Sequence, residues 1–340
     1  MMDLLKEKYI LGNKEYIDYK DKANIALCCD KNVLRALGVT IFSFLNHMKM
    51  PCVFHVFFNG ELPDEELNRL EFMRQQYDTE IIIYWLNNDF IKDVESQLLN
   101  ITITTYYRLV VPYVLKDFPI DRVLYVDTDV LCINDASELF SMDLQNKIAL
   151  VEKDATSKPN MRVSYCPKIG MKETNYFNAG VMLIQIQPYI AADIGYKAMK
   201  LASSNSYPFM DQDVLNILLE GKVIFNTSYA YDCAMSVRNN ELPETIKIIH
   251  FTGGKKPWKL YTTHYGTTYT QNWKDEHSWK YQYYKEWRDC AKESPWADVP
   301  YDLPKNYHDW RYLANMYRVM GKYGEWISAY YRYLKAKLNK

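Results

Sequence analysis

Two aspartates separated by one residue follow an apolar segment near the middle of the chain. Residues 122–131 read Arg-Val-Leu-Tyr-Val-Asp-Thr-Asp-Val-Leu, and the apolar residues before Asp127 predict a buried strand. Side chains at i and i+2 of an extended chain point the same way, so Asp127 and Asp129 can hold one cation between them. Two hard oxygen ligands at a strand end indicate a divalent-metal site, although an Asp-x-Asp pair also occurs by chance in loops.

A histidine and a segment with glycines and lysines follow a later strand. Residues 247–249 predict that strand, and His250 comes directly after it. If the fold brings His250 beside the aspartates, the ligand set suits Mn²⁺ or Mg²⁺, and the imidazole favours Mn²⁺. Gly253 permits close approach of a ligand to the backbone, and Lys256 supplies a positive charge for phosphate. The alternative is a structural histidine followed by a glycine-rich hairpin with solvated lysines.

The elements that must position these residues alternate between strands and helices. Strands are predicted over residues 24–29, 52–58, 80–85, 122–126, 147–151, 181–186 and 247–249, and helices are predicted to begin near residues 34, 64, 102 and 211. This alternation predicts an α/β fold with a mixed, mostly parallel sheet flanked by helices, which binds ligands beyond the carboxyl ends of its strands. Residues 156–176 lack periodicity, which indicates a lid or a substrate loop.

The composition narrows the class of protein. The chain has 340 residues, 48% hydrophobic and 24% charged, with a net charge of -1. These values exclude a disordered chain and give no general attraction to nucleic acid. Seven cysteines without a Cys-x-x-Cys pair indicate neither a disulfide framework nor a zinc site, and a reducing cytosol fits them best. The sequence shows no apolar signal core and no apolar stretch of about 20 residues, so we expect a cytoplasmic protein.

The amino-acid composition of the chain changes beyond about residue 266. From residue 305 onward eight basic residues stand against two acidic ones, which leaves about +6. An amphipathic helix is predicted from four apolar or aromatic residues that recur at every fourth position: Trp326, Tyr330, Leu334 and Leu338. This extension is either a helical cap packed on the main domain or a basic, aromatic surface that docks on an anionic membrane.

Six segments, in order along the chain, resemble the retaining sugar-nucleotide glycosyltransferases of family 8. That family includes bacterial lipopolysaccharide galactosyl- and glucosyltransferases and glycogenin. The segments are Ile-Ala-Leu-Cys-Cys-Asp at 25–30 with Asn32, Ile-Thr-Thr-Tyr-Tyr-Arg-Leu at 103–109, Leu-Tyr-Val-Asp-Thr-Asp-Val-Leu at 124–131, Tyr-Phe-Asn-Ala-Gly-Val at 176–181, Asp-Gln-Asp-Val-Leu-Asn at 211–216, and His-x-x-Gly-x-x-Lys-Pro-Trp at 250–258. Six segments in family order are a specific signal, whereas one alone would be weak.

The resemblance implies a GT-A fold over residues 24–265, with a lead-in over residues 1–23 and the extension over residues 266–340. It also implies UDP-sugar as the donor and Mn²⁺ or Mg²⁺ as the metal. In the nucleotide site, Asp30 and Asn32 would contact uridine, Thr128 would contact the nucleotide, and Arg108 would contact the donor sugar or phosphate. Asp127 would bind ribose and metal, Asp129 and His250 would bind the metal, and Gly253 and Lys256 would contact the diphosphate. The sugar would be surrounded by Asp154, Asn178, Asp211 and Gln212, with Glu152 as the alternative to Asp154. Val33 stands where many relatives have an aromatic residue to stack on uracil.

The implied reaction moves a hexose, glucose or galactose, to a saccharide acceptor on a glycolipid, polysaccharide or glycoprotein. Retention could use a side-chain nucleophile in a double displacement, or front-face attack on an ion pair. The resemblance places Gln212 beneath the sugar, and an amide is a poor nucleophile, so we favour front-face attack. Two other interpretations are a nucleotidyltransferase and a non-catalytic sugar-nucleotide-binding or scaffold protein. The first lacks support because no glycine-rich loop follows the first strand, where the chain reads Cys-Asp-Lys-Asn at 29–32.

Overall fold

The structure is a computed structural model, and it describes residues 4–13, 19–92, 103–155, 163–237, 242–262 and 279–339. The chain divides into two compact units, one that ends at His250 and one that begins at Phe251. The predicted boundary between residues 265 and 266 lies outside the described residues. That boundary therefore stays a prediction.

An eight-stranded mixed sheet forms the centre of the first unit. Its strands, numbered along the chain, are β1 (Leu5–Ile10), β2 (Ala23–Asp30), β3 (Cys52–Asn59), β4 (Glu80–Leu86), β5 (Arg122–Val126), β7 (Ala149–Lys153), β8 (Phe177–Gln185) and β9 (Val223–Asn226). They lie in the order β1-β4-β3-β2-β5-β8-β7-β9. All except β1 and β8 run in one direction, which confirms the predicted mixed, mostly parallel sheet.

A smaller sheet carries the histidine. Its strands are β6 (Val130–Cys132), β10 (Cys233–Ala234) and β11 (Ile248–His250), in the order β10-β11-β6. Strand β11 runs antiparallel to β6, and His250 is paired with Val130. This register places the end of β11 beside the residue that follows Asp129, so backbone pairing brings the histidine to the aspartates.

Helices cover the large sheet, and their positions follow the apolar spacing of the sequence. The α-helices among the described residues of this unit are α1 (Leu34–His47), α2 (Asp64–Tyr77), α3 (Val111–Leu115), α4 (Ile186–Ala191), α5 (Ile194–Ser204) and α6 (Met210–Leu219). Helix α1 buries Leu37, Ile41 and Phe44, which recur at the three- and four-residue spacing of one helical face. Helix α2 begins after Pro63 with three acidic residues in its first turn, where their negative charges interact favourably with the positive end of the helix dipole.

The helix predicted to begin near residue 102 is a 3₁₀ helix over Ile103–Leu109, followed by the short α3. Pro112 has no backbone N–H and cannot donate to the carbonyl of Arg108, so a continuous α-helix cannot run through this point. The β-branched residues at 103–105 also have low helix propensity. Tertiary contacts nevertheless bury most of the 3₁₀ helix, including Tyr107.

The core explains why β2 and β3 read as nearly continuous apolar segments. Every residue of β2 is buried, as are residues 52–58 of β3, because helices cover both faces of these parallel strands. Strand β1 has a different pattern: its first four residues are exposed, and it pairs antiparallel with β4 at the edge of the sheet. Its lysines and glutamate protect this edge from pairing with another chain. The sequence did not indicate this strand, which falls within the predicted polar lead-in.

The second unit is helical. Its helices among the described residues are α7 (Trp279–Glu293), α8 (Tyr307–Val319) and α9 (Tyr323–Leu338). Helices α8 and α9 pack around Leu313, Met316 and Ala329, and the side chain of Asn306 caps α8 by accepting from the N–H of Asp309. The predicted amphipathic helix lies within α9. Among the described residues, no helix has both the length and the apolar character that crossing a bilayer requires.

Candidate active site

The carboxyl ends of the parallel strands meet at one edge of the large sheet, and the candidate metal ligands lie there. Asp127 follows β5, Asp129 precedes β6, and His250 ends β11. One ligand atom from each of the three residues lies within 4.8 Å of the other two. The Nε2 atom of His250 is 3.3 Å from a carboxylate oxygen of Asp129 and 3.8 Å from Oδ2 of Asp127. The structure therefore brings together the two carboxylates and the imidazole that the sequence indicated.

The turn that carries the aspartates is held by α1. The hydroxyl oxygen of Thr40 lies 2.9 Å from the carbonyl oxygens of both Thr128 and Val130, and it is buried. This contact fixes the backbone on either side of Asp129. Thr40 was not among the predicted residues, because a threonine within an apolar helical stripe gives no sign of its distant partner.

Gly180 provides the space in which the ligands meet. Strand β8 runs antiparallel to β5, and the N–H of Asp127 donates to the carbonyl of Gly180 at 2.8 Å. A Cβ atom at position 180 would lie 2.2 Å from Cε1 of His250 and 2.9 Å from Oδ2 of Asp127. Only glycine permits the imidazole and this carboxylate to approach each other across the backbone of β8.

Arg108 links the metal-ligand candidates to Asp211. Its guanidinium donates to Oδ1 of Asp127 at 2.8 Å and to the carbonyl of Ala179 at 2.8 Å, and its Nε forms an ion pair with Oδ2 of Asp211 at 2.9 Å. The hydroxyl of Tyr125 also donates to Oδ1 of Asp127, at 2.7 Å. Oδ1 of Asp127 is therefore occupied, and Oδ2 faces His250. Burial raises the pKa of Asp211 to about 6, against the opposing effect of the Arg108 charge.

His250 is held from behind by a residue that the sequence did not indicate. Oδ1 of Asp232, just before β10, lies 2.8 Å from Nδ1 of the imidazole, and the Asp232 side chain is fully buried. Burial opposes charge on the imidazole, but the carboxylates of Asp129 and Asp232 outweigh it and raise the pKa of His250 well above its usual value. Asp232 lies in an irregular segment without a recognisable motif, so only the fold reveals this contact.

Gln212 has a fixed orientation. Its side-chain oxygen accepts from the N–H of Ala179 at 3.0 Å, and its amide nitrogen donates to the hydroxyl of Tyr176 at 3.2 Å and to Asp154 at 3.5 Å. The Tyr176 hydroxyl in turn donates to the buried Asp213 at 2.6 Å. The structure thus places Gln212 and Asp154 side by side and directs the amide oxygen to a backbone donor.

Glu152 and Asn178 make hydrogen bonds that hold the local backbone. The buried Glu152 carboxylate accepts from the side chain of Asn226 and from the N–H groups of Tyr229 and Tyr231, and it therefore anchors the segment before Asp232. Burial raises its pKa to about 8, although these N–H donors oppose the shift. Of the two alternatives, Asp154 is the carboxylate beside Gln212. The side-chain oxygen of Asn178 accepts from the N–H of Gly180 at 2.8 Å, which is a local contact within β8.

A cavity of about 560 Å³ lies at the carboxyl ends of β2 and β3. Its lining includes Asp30, Asn32 and Asn59. The N–H of Asn32 donates to Oδ1 of Asp30 at 2.8 Å, and the hydroxyl of Tyr107 lies 3.1 Å from Oδ1 of Asn59. The two residues predicted to contact uridine thus share one cavity at the same sheet edge as Asp127.

Gly253 and Lys256 belong to the second unit. Gly253 has a φ of 81°, a left-handed conformation that favours glycine. The ammonium of Lys256 donates to the carbonyl of Phe251 at 2.8 Å. Their predicted contacts with a diphosphate stay predictions.

Comparison with known proteins gives a consistent set of matches. The model of the family described as glycosyl transferase family 8 matches residues 24–262. A lipopolysaccharide 1,3-galactosyltransferase of Salmonella typhimurium is 31% identical over 94% of this chain and 92% of its own. A lipopolysaccharide 1,2-glucosyltransferase of Escherichia coli K12 is 28% identical over 85% and 82%. The solved structure of the galactosyltransferase LgtC with donor and acceptor sugar analogues superposes with a TM-score of 0.63 at 23% identity, over 85% of this chain and 99% of that chain. This last likeness shows the fold, which is of the GT-A type.

Proposed function

Because the chain belongs to glycosyl transferase family 8, as the resemblance of its six segments predicted, we propose that it transfers a hexose from a UDP-sugar to a saccharide acceptor. The relatives named above are galactosyl- and glucosyltransferases, which supports galactose or glucose as the sugar. The observation that carries the proposal is the cluster of Asp127, Asp129 and His250 beside the Arg108 guanidinium. A cation site next to an arginine whose side chain is only 11% exposed suits a reaction whose leaving group is a diphosphate.

The residues present fit a divalent cation. Two carboxylates and an imidazole converge within 4.8 Å, and this mixed oxygen and nitrogen set suits Mn²⁺ or Mg²⁺, with the imidazole favouring Mn²⁺. Arg108 and Tyr125 occupy one oxygen of Asp127, which leaves the other oxygen for the metal. When bound, the cation would neutralise negative charge on the departing diphosphate. Asp127, Asp129 and His250 would hold it.

The orientation of Gln212 supports front-face attack. Its amide oxygen accepts from the N–H of Ala179, and its nitrogen donates to Tyr176, so protein contacts hold both ends of an amide that is already a poor nucleophile. Asp211 is buried and forms an ion pair with Arg108, which reduces its nucleophilicity. We infer that configuration is retained without a covalent intermediate, and that the departing phosphate oxygen takes the proton of the acceptor hydroxyl. Isolation of a glycosyl adduct on Asp211 or Asp154 would refute this route.

The cavity beside β2 and β3 is the proposed uridine site. Asp30 and Asn32 line it, and carboxylate and amide groups there can hydrogen-bond to the ring N–H and the carbonyls of a uracil. Val33 supplies no aromatic face for stacking. We therefore expect hydrogen bonds rather than stacking to select the base.

The experiment that tests the function measures UDP release from a panel of UDP-hexoses with Mn²⁺ and no acceptor. We expect slow hydrolysis of UDP-galactose or UDP-glucose that stops when the metal is chelated. Asp127→Asn should abolish the reaction, since it removes a charge from the cation site. Asp121→Asn is the matched control, because Asp121 is exposed at the opposite end of β5. Tight binding of UDP-sugar without any turnover would favour the non-catalytic alternative, and pyrophosphate release from a sugar phosphate and UTP would favour a nucleotidyltransferase.

The surface of α9 supports peripheral contact with the inner face of a membrane, where a lipid-linked acceptor would reside. Large apolar side chains are exposed along this helix, among them Ile327 at 62%, Tyr331 at 66% and Leu338 at 84%. Basic residues such as Arg332 and Lys335 lie on the same helix. Such a helix binds anionic lipid through buried apolar area and charge together. Vesicles rich in phosphatidylglycerol should sediment the full chain, and the double variant Ile327→Glu, Leu338→Glu should stay in solution. Equal sedimentation of both proteins would contradict membrane docking by this helix.

A further inference from the structure

Asp232 is a buried carboxylate that has no role in the proposed reaction as described above. Its side chain has no exposed surface. One of its oxygens lies 2.8 Å from Nδ1 of His250, and the other has no hydrogen-bond partner among the described residues. A buried, incompletely satisfied carboxylate costs stability, so replacement by a neutral residue would serve the fold as well or better. This cost suggests a role in the site.

The backbone fixes Asp232 relative to His250 from both sides. The parallel strand β10, which begins one residue after Asp232, pairs with β11, and Ala234 stands opposite His250. The N–H of Met235 donates to the carbonyl of His250 at 3.1 Å. Before Asp232, the N–H of Tyr231 donates to the buried Glu152 at 3.1 Å. The carboxylate therefore cannot drift away from the imidazole without breaking contacts on either side of it.

The contact with Asp232 selects one form of the imidazole. A carboxylate accepts from Nδ1 only when this nitrogen carries the hydrogen, and in a neutral ring Nε2 then presents its lone pair. Nε2 is the atom that faces Asp129 at 3.3 Å and Asp127 at 3.8 Å. A histidine that binds a metal usually donates its other N–H to such a partner, which orients the ring and increases its basicity.

We propose that Asp232 is a positioning residue, which acts through His250 to set the affinity of the site for Mn²⁺. It does not touch the cation. Its carboxylate holds the imidazole in the tautomer and the orientation that present Nε2 to the metal. The inference rests on the proposed function, since it takes Asp127, Asp129 and His250 as a cation site.

The test measures Mn²⁺ binding to the full chain in the presence of UDP, from the electron paramagnetic resonance signal of free Mn²⁺. Asp232→Asn should weaken Mn²⁺ binding about 10- to 100-fold, the usual effect of losing such a partner. Asp232→Glu keeps the charge but moves the acceptor, and we expect it to weaken binding as well. Asp213→Asn is the matched control, because it neutralises another buried carboxylate that contacts tyrosines instead of His250. Its Mn²⁺ affinity should change less than twofold.

A double-mutant cycle separates positioning from general electrostatics. If Asp232 acts through the imidazole, Asp232→Asn in the background of His250→Ala should cause no further loss of Mn²⁺ affinity. Mg²⁺ binding, measured by competition, should change little, because Mg²⁺ gains less from an imidazole ligand. Additive losses, or equal losses for both cations, would show that only the charge of Asp232 matters and would overturn the inference.

The two proposals fail in different ways. If His250→Ala loses Mn²⁺ affinity while both folded Asp232 variants keep it, the positioning role is wrong and the proposed function stands. If the wild-type protein binds no Mn²⁺ with UDP present, the metal-dependent function is wrong and the inference falls with it. Thermal unfolding of each variant shows whether it is folded, and the glutamate variant serves if the asparagine variant is not.

Discussion

Gly180→Ala tests whether the site depends on close packing between a strand backbone and the metal-ligand candidates. The added Cβ would lie 2.2 Å from Cε1 of His250, whereas ordinary contact begins near 3.4 Å. Either the imidazole or β8 must therefore move by about 1.2 Å. Metal–ligand distances tolerate only about 0.2 Å, so the imidazole cannot move this far and still complete the same site.

The expected loss follows from this displacement. A misplacement of about 1 Å in a catalytic group costs roughly 10²-fold in rate, so kcat/KM for UDP-sugar hydrolysis should fall by about that factor or more. Mn²⁺ affinity in the presence of UDP should fall about 10- to 100-fold. The free energy of unfolding should fall by only about 1–3 kcal/mol, the usual cost of inserting one methyl group into a packed interior.

The assay combines Mn²⁺ titration, UDP release and urea unfolding on the same preparations. Gly324→Ala is the matched control, because a Cβ at that position in α9 has no neighbour within 4 Å and the backbone is not left-handed. It should leave Mn²⁺ affinity unchanged. A folded Gly180→Ala protein that binds Mn²⁺ within twofold of the wild type would show that the site has room to spare and would refute the reasoning.

Three further predictions follow from buried contacts. Tyr125→Phe removes one of two donors to Oδ1 of Asp127 and should weaken Mn²⁺ binding severalfold without unfolding the protein. Unchanged Mn²⁺ affinity in a titration would show that Arg108 alone is enough to orient the Asp127 carboxylate. Burial lowers the pKa of His55 to about 3 from 6.5, so the unfolded chain binds a proton that the folded chain excludes, and the stability that this group contributes above pH 6.5 is lost as the pH falls. Other groups, such as Glu152, titrate in the opposite sense, so the test compares two proteins. In urea unfolding, the stability of the wild type relative to His55→Gln should fall by about 2 kcal/mol between pH 7.5 and 5, and a constant difference would disprove the reasoning. Gly195→Ala would place a Cβ 2.2 Å from a backbone carbonyl oxygen, and it should lower the free energy of unfolding by at least about 1–3 kcal/mol in the same assay. The folded variant should keep the Mn²⁺ affinity of the wild type. A free energy of unfolding equal to that of the wild type would contradict this prediction.

The large sheet could be predicted from the sequence because its central strands are buried on both faces. Strands β2 and β3 are nearly uninterrupted apolar runs, and a chain can satisfy such runs only inside an α/β layer structure. Edge strand β1 could not be predicted in this way, since a strand with four exposed residues has the composition of a polar loop. The segment over 103–109 is helical as predicted, but it is a 3₁₀ helix, and Pro112 lies in the first turn of the separate helix α3.

The candidate site also contains some residues that the sequence could predict and others that it could not. Asp127 and Asp129 are close in sequence, so their proximity could be predicted, but the structure brings them together through a turn at residues 128–129 and not through an extended chain. The contacts of Thr40 and Asp232 depend on pairings that only the complete fold creates, and neither residue belongs to a motif. Gly180 stood within a segment that carried the resemblance, but the reason for a glycine there is the imidazole that arrives from β11. The predicted roles of the individual site residues await the experiments above.

Strand β8 runs against its neighbours β5 and β7, and this reversal has a consequence for how the protein can diversify. Its amino end, with Asn178 and Gly180, lies at the edge where the parallel strands finish, so the chain both leaves β7 and enters β8 on the reactive side. Because β7 and β8 are adjacent and antiparallel, a change in the length of their connection requires no new crossover through the body of the sheet. A different connection can therefore evolve here without altering the strand order that positions Asp127.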